Sequence, residues 1–175
     1  SGQPLYRERY MDNTAALRRL KGPIKKMQEG EAALGKQQFS QAEERFNQAL
    51  NQAPNDYVGL LLMAKCQLMQ KKDAQAERFA QRAKQVYPQE AQVYHISGIA
   101  KLRNKKYDAA YDDFSIYERR LPGNPNTVFF KGLSLEGMQK IDPAAKAYNA
   151  YLQQVRQGKQ AQYAYQRLKE WGYIK

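Results

Sequence analysis

An all-α fold, a right-handed superhelical solenoid of about four helix-turn-helix repeats with a helix at each end, is what this sequence predicts. Three columns of residues predict it. Gly30, Ala64, Gly98 and Gly132 stand thirty-four residues apart. Ala42, Ala76, Ala110 and Ala144 keep the same step, and so do Pro54, Pro88 and Pro122. A unit that recurs at a fixed period has a face it cannot bury alone, so neighbours must stack. Stacked units leave one long concave surface free for a partner.

Each period reads as two helices, a first and a second, joined by a short turn. In the first unit Ile24 to about Lys36 forms the first helix. Ser40 caps the second, Glu43 completes a capping box, and Pro54 stops it. In the second unit Asp56 caps a helix through Met69-Gln70, and Asp73 caps another through Val86, ended by Pro88. The third unit reads 90–104 and 108–120, ended by Pro122. The fourth starts at Asn124-Pro125, a cap with proline in the first turn, and runs to Gln139. Its second helix begins at Asp142-Pro143 and ends by Gly158. The small columns lie where paired helices cross, because a side chain larger than methyl would push the pair apart. Phe39, Phe46, Leu50, Leu68, Tyr94, Leu102, Tyr107, Phe114, Leu135 and Tyr148 fill the remaining core.

Two helices flank the array. Residues 4–20 place Tyr6, Tyr10, Leu17 and Leu20 on one face and stop at Gly22-Pro23. Residues 159–171 place Ala161, Tyr165, Leu168 and Trp171 on one face and stop at Gly172. The division is thus a linker or capping helix (1–22), repeats at 23–56, 57–90, 91–124 and 125–156, and a C-terminal capping helix (157–175).

The net charge of +12 over 175 residues is concentrated at the ends. Residues 1–30 carry seven Lys/Arg against three acids and residues 152–175 five against one, whereas 31–151 carry seventeen against thirteen. A nucleic-acid-binding superhelix would show a continuous basic stripe; an acidic neighbour at the ends, or solubility, accounts better for this pattern. No apolar run approaches the length that spans a bilayer. The N-terminal residues lack the apolar stretch of a signal peptide, so the chain is either cytosolic or a mature or excised piece.

Catalysis finds no support. Cys66 and His95 are the only residues of their types, which excludes a disulfide within the chain and a zinc site, and neither HExxH nor a Gly-rich phosphate loop occurs. No metal, cofactor or enzymatic activity is expected of this chain. Cys66 reads as a buried, inert thiol. The pairs Glu43-Glu44 and Asp112-Asp113 read as a solvated outer face. His95 reads as a partly exposed groove residue, with a ligand-contacting or pH-sensitive role as the sharper alternative.

Gly30, Phe39, Ala42, Phe46, Ala49 and Pro54, repeated over residues 23–156, resemble the tetratricopeptide repeat. Asp73, Ala80, Tyr117, Tyr151 and Arg156 depart from the pattern. The resemblance implies an inner surface built from the first helix of each pair. It assigns Met27, Gln28 and Glu31; Val58, Leu61, Leu62, Lys65 and Met69; Gln92, His95, Ile96, Ile99 and Arg103; and Asn126, Phe129, Phe130 and Leu133. The partner-binding set is Val58, Leu61, Leu62, Lys65, Met69, His95, Ile99, Arg103, Asn126, Phe129, Phe130 and Leu133. These residues make an apolar trough without the Lys/Asn clamp of receptors for EEVD tails. Its expected occupant is a hydrophobic peptide, a helix or another domain.

Arg9, Tyr10, Thr14, Leu17 and Arg18, together with the ending AYQRLKEWGYIK, are similar to the C-terminal region of BepA-type periplasmic zinc metallopeptidases. That resemblance implies a non-catalytic module beside a zinc protease domain in the bacterial envelope, binding a substrate, an envelope partner or its own protease domain. Two alternatives stand beside it: a free-standing adaptor in envelope or secretion assembly, and a basic helical repeat that binds nucleic acid. Oligomeric state and compartment are not legible in the sequence, and a cytoplasmic location stays open.

Overall fold

The computed structural model describes residues 21–175. The helix expected over residues 4–20 lies outside them. Nine α-helices and no strand occur among the described residues: α1 Lys21–Gly35, α2 Phe39–Gln52, α3 Tyr57–Met69, α4 Asp73–Val86, α5 Gln92–Arg103, α6 Tyr107–Arg120, α7 Pro125–Gly137, α8 Ile141–Gln154 and α9 Lys159–Glu170. They fall into two compact units, Ser1–Val93 and Tyr94–Lys175.

Three of the four pairs are nested by the same contact. A Cβ added at Gly30 of α1 would lie 2.5 Å from the Phe46 ring of α2. The same construction puts Gly98 2.7 Å from Phe114 and Gly132 2.6 Å from Tyr148. All three rings are fully buried. In the remaining pair the small position is Ala64, and the residue sixteen later is Ala80 instead of an aromatic, both at 0 % exposure. Three crossings thus set a glycine against a ring, and the α3–α4 pair carries a buried alanine at both positions.

The turn inside each pair is also repeated. Gln37, Lys71, Lys105 and Gln139, again thirty-four apart, sit at φ 59–60°. The N–H of Gln37 donates to the Leu34 carbonyl at 3.0 Å and that of Gln38 to Ala33 at 2.9 Å, and the other three turns repeat this pair of bonds. This is a Schellman closure with a non-glycine residue in the left-handed position. The next residue then opens the second helix, its carbonyl accepting from Ala42, Ala76, Ala110 or Ala144.

That dual use corrects the expected caps. The second helices begin at Phe39, Asp73, Tyr107 and Ile141 after Gln38, Lys72, Lys106 and Lys140, none of which caps through its side chain. Ser40 is already inside α2, so no capping box forms. Glu43 instead accepts from Gln70 Nε2 at 3.1 Å and pairs with Lys72. Asp73, Asp108 and Asp142 are acids of the first turn, where they favour the positive helix end. The first helices do take side-chain caps: Asp56 accepts from the Gly59 N–H at 2.8 Å and Asn124 from the Asn126 N–H at 3.0 Å. α1 includes Gly22 and Pro23, where a break was expected.

Two polar networks lie in the second unit. Asp113, read above as solvated, is 4 % exposed; it accepts from Ser97 Oγ at 2.6 Å and pairs with Lys101 Nζ at 3.0 Å. Glu136 of α7 accepts from the hydroxyls of Tyr148 and Tyr163 and from Arg167 Nε, which ties α7, α8 and α9 together. Burial and then the Glu136 carboxylate push the Tyr163 phenol up to about 12, and the same causes raise Tyr148 further. The Arg167 guanidinium lies 4.9 Å over Trp171, whose ring stacks on Tyr148. In α9 the buried face is Ala161, Ala164 and Leu168, whereas Tyr165 is 49 % exposed and not core as expected.

Gly98→Ala gains helix propensity yet forces a methyl into Phe114, so it is expected to lower stability by about 1–3 kcal/mol in urea unfolding. A more stable variant would show that the ring has room to move.

Candidate partner-binding surface

The predicted inner positions separate into core and surface. In the first unit Val58, Leu61 and Leu62 are 1 %, 3 % and 8 % exposed. They do not line an open groove. The reason lies in α3 itself, YVGLLLMAKCQLM, which carries Lys65 as its one charge; a helix apolar on all sides has to be wrapped. Lys65 and Met69 remain exposed on α3. Glu31 of α1 is half-buried, and that burial raises its carboxyl above the usual range against the opposing pull of Lys65. Met27, also an inner position, is fully buried, and Gln28 is exposed. Cys66 is buried as expected, and burial pushes its thiol up.

In the second unit Phe129 belongs to the core, with Tyr151 at 5.1 Å and Tyr148 at 5.7 Å between ring centroids. It too is removed from the surface set. His95, Ile99, Phe130 and Leu133 are half-buried, and Arg103 and Asn126 are exposed. His95, Ile99 and Arg103 recur every four residues on α5, and Asn126, Phe130 and Leu133 follow helical spacing on α7, so each set shares a face. The His95 ring joins the two helices, lying 5.8 Å from Phe130.

Around His95 stand Tyr117 at 4.9 Å and Phe114 at 6.1 Å, both from α6. Phe114 in turn stacks on Phe130 at 5.4 Å. The imidazole Nδ1 is buried without a hydrogen-bond partner, and burial lowers the ring's pKa below 6.5. Tyr117 escaped the sequence reading as a site residue. Its signal was visible: it and Tyr151 continue, as tyrosines, the thirty-four-residue column that begins with Ala49 and Ala83. Each of these tyrosines packs against a ring on its own first helix, Tyr117 on His95 and Tyr151 on Phe129. The resulting surface is a half-wet apolar row with Arg103 and Asn126 beside it. Among the described residues no cluster of three or more His, Cys, Asp or Glu gathers, and no helix is long and apolar enough to cross a membrane.

Residues 33–98 match the family model described as a tetratricopeptide repeat. No curated protein matches the sequence. Among solved structures, a MamA protein superposes with a TM-score of 0.73 at 20 % identity, over 85 % of this chain and 84 % of that one. A MamA fragment from Desulfovibrio magneticus RS-1 gives 0.74 at 12 % identity, over 85 % and 92 %. The tetratricopeptide-repeat domain of Arabidopsis OM64 gives 0.65 at 18 % identity, over 67 % and 98 %.

The chain has the all-α helical-repeat fold of tetratricopeptide-repeat proteins.

At such identities the neighbours speak for the fold and for nothing more specific. The match at residues 33–98 and the tetratricopeptide-repeat fold support a protein-interaction module.

A histidine whose folded pKa is depressed binds its proton more readily when unfolded, so stability is present above pH 6.5 and is lost as pH falls below it. Urea midpoints at pH 7.5 and pH 5.5 should differ, and His95→Leu should remove most of the difference. An unchanged slope in that variant would assign the dependence to carboxylates.

Proposed function

We propose that this chain holds an apolar segment of a protein partner against α5 and α7, through His95, Ile99, Phe130 and Leu133. The observation that carries the reading is that these four stay half-exposed in a repeat domain that buries Val58, Leu61, Leu62 and Phe129. A peptide that covers such a row with three or four apolar side chains gains on the order of several kcal/mol before its ordering costs. Met69 and Lys65 of α3 offer a smaller contact in the first unit.

The chain is further read as the non-catalytic C-terminal part of an envelope zinc metallopeptidase, located in the bacterial periplasm. That reading rests on Arg9, Tyr10, Thr14, Leu17 and Arg18 and on the AYQRLKEWGYIK ending. Its occupant would then be a substrate, an envelope protein or the protease domain, with the repeats limiting access to the active site. The reading frame upstream of residue 1 decides this part: a signal sequence and an HExxH motif support it, and their absence ends it.

Phe130→Asp is expected to abolish co-purification of an envelope partner while far-UV circular dichroism keeps its helical signal. Leu61→Asp is expected to lose that signal, because it puts a charge at a site 3 % exposed. Retained binding in Phe130→Asp at full helicity would remove α7 from the contact.

A further inference from the structure

One period beyond Pro125, the first residue of α7, stands Lys159, the first residue of α9. The C-terminal helix is thus in phase with α1, α3, α5 and α7, as the first helix of a fifth pair. In the complete pairs the second helix covers the first. Asp113 of α6, for instance, is held by Ser97 and Lys101 of α5. Two periods beyond those two residues stand Tyr165 and Lys169. Among the described residues no helix follows α9.

The uncovered face is a groove. In the first unit α2, α3 and α4 bound a cavity of 360 Å³ through residues that include Asn47, Met63 and Phe79. Three periods later Asn149 and Tyr165 replace the first two in a groove of 510 Å³ between α8 and α9. Leu152 and Ala161 line this groove, and Tyr165 in it is 49 % exposed.

A polar end-cap would account for Gln162 and Gln166, both exposed, but not for Leu152 and Tyr165 left uncovered in the groove. Charge then selects the occupant. Arg156 lies in the groove wall, and Lys159 and Lys169 share the face of α9 that carries Gln162 and Tyr165. All three cations are exposed, and among the described residues none pairs with an acid. The acids of this end are engaged: Asp142 accepts from Tyr173, and Glu170 pairs with Arg167.

We propose that the groove between α8 and α9 seats an acidic amphipathic helix of a partner protein, set against α9 as α6 is set against α5. A carboxylate on that helix meets Lys169 as Asp113 meets Lys101, and its apolar face covers Leu152 and Tyr165. This contact lies apart from the row on α5 and α7, and the two are separable by mutation.

The test is fluorescence anisotropy of a labelled, hydrocarbon-stapled peptide of residues 106–121, which is α6 with Asp113 in register, titrated with the whole 175-residue chain. Binding should saturate and weaken about tenfold in Lys169→Glu. A peptide with Asp113→Lys should bind the wild type poorly and regain affinity for Lys169→Glu. Phe130→Asp should leave the titration unchanged, so failure of the inner-face contact and failure of this one read differently. No saturation at millimolar protein, or equal binding in Lys169→Glu and Tyr165→Ser, overturns the proposal. So does a self-associated chain that Tyr165→Ser makes monomeric in sedimentation, which would give the groove to a second copy.

Discussion

Everything in this domain depends on a ring from one helix occupying the space that a missing side chain leaves on the other. The Phe46, Phe114 and Tyr148 rings sit where Gly30, Gly98 and Gly132 have no Cβ. This sets how near the axes come and hence how well the small columns at Ala42, Ala110 and Ala144 can close. Glycine inside a helix costs about 1 kcal/mol relative to alanine, and burial of a whole aromatic ring more than offsets it. The α3–α4 pair carries Ala64 and Ala80, both fully buried, at the two positions instead.

Polar groups then specify what apolar packing leaves open. Asp113, almost wholly buried, is compensated by Lys101 and Ser97 from the facing helix. A buried ion pair contributes little net stability, but loss of one partner strands the other in a poor solvent. Such a pair fixes which residues may face each other. Glu136 has the same part for the last helices: three donors from two helices converge on one carboxylate, and Trp171 folds over Tyr148 behind them. The C-terminal helix is held by this network as well as by Ala161, Ala164 and Leu168.

The period in glycine, alanine and proline made the pairing of helices legible, because those residue types answer to steric demands that any sequence must meet. The prolines lie two residues past the ends of α2, α4 and α6, directly after the caps Ala53, Tyr87 and Leu121, as expected. Exposure was far less legible. Leu61 and Phe130 are equally apolar in sequence, yet one is sealed and the other half-open, since exposure depends on what neighbouring helices cover. Asp113 misled for the same reason: a carboxylate reads as solvated until its compensating cation is found on another helix. Tyr165 was taken for core because it follows Ala161 at helical spacing, whereas Ala164 is the residue that packs inward. The caps of the second helices were hidden because backbone groups supply them, and backbone groups leave no mark in a sequence.

Those joints bear on what the chain can tolerate during divergence. Within each pair a single peptide both closes one helix and opens the next, with Gln37, Lys71, Lys105 or Gln139 held left-handed beside it. One residue inserted there would turn the following helix by about 100° about its axis, carrying the ring at Phe46 or Phe114 away from its glycine. The proline-led links after Ala53, Tyr87 and Leu121 carry no such double duty. Length variation, loop grafts and fused reporters therefore belong between pairs, and the links inside pairs should stay constant in length.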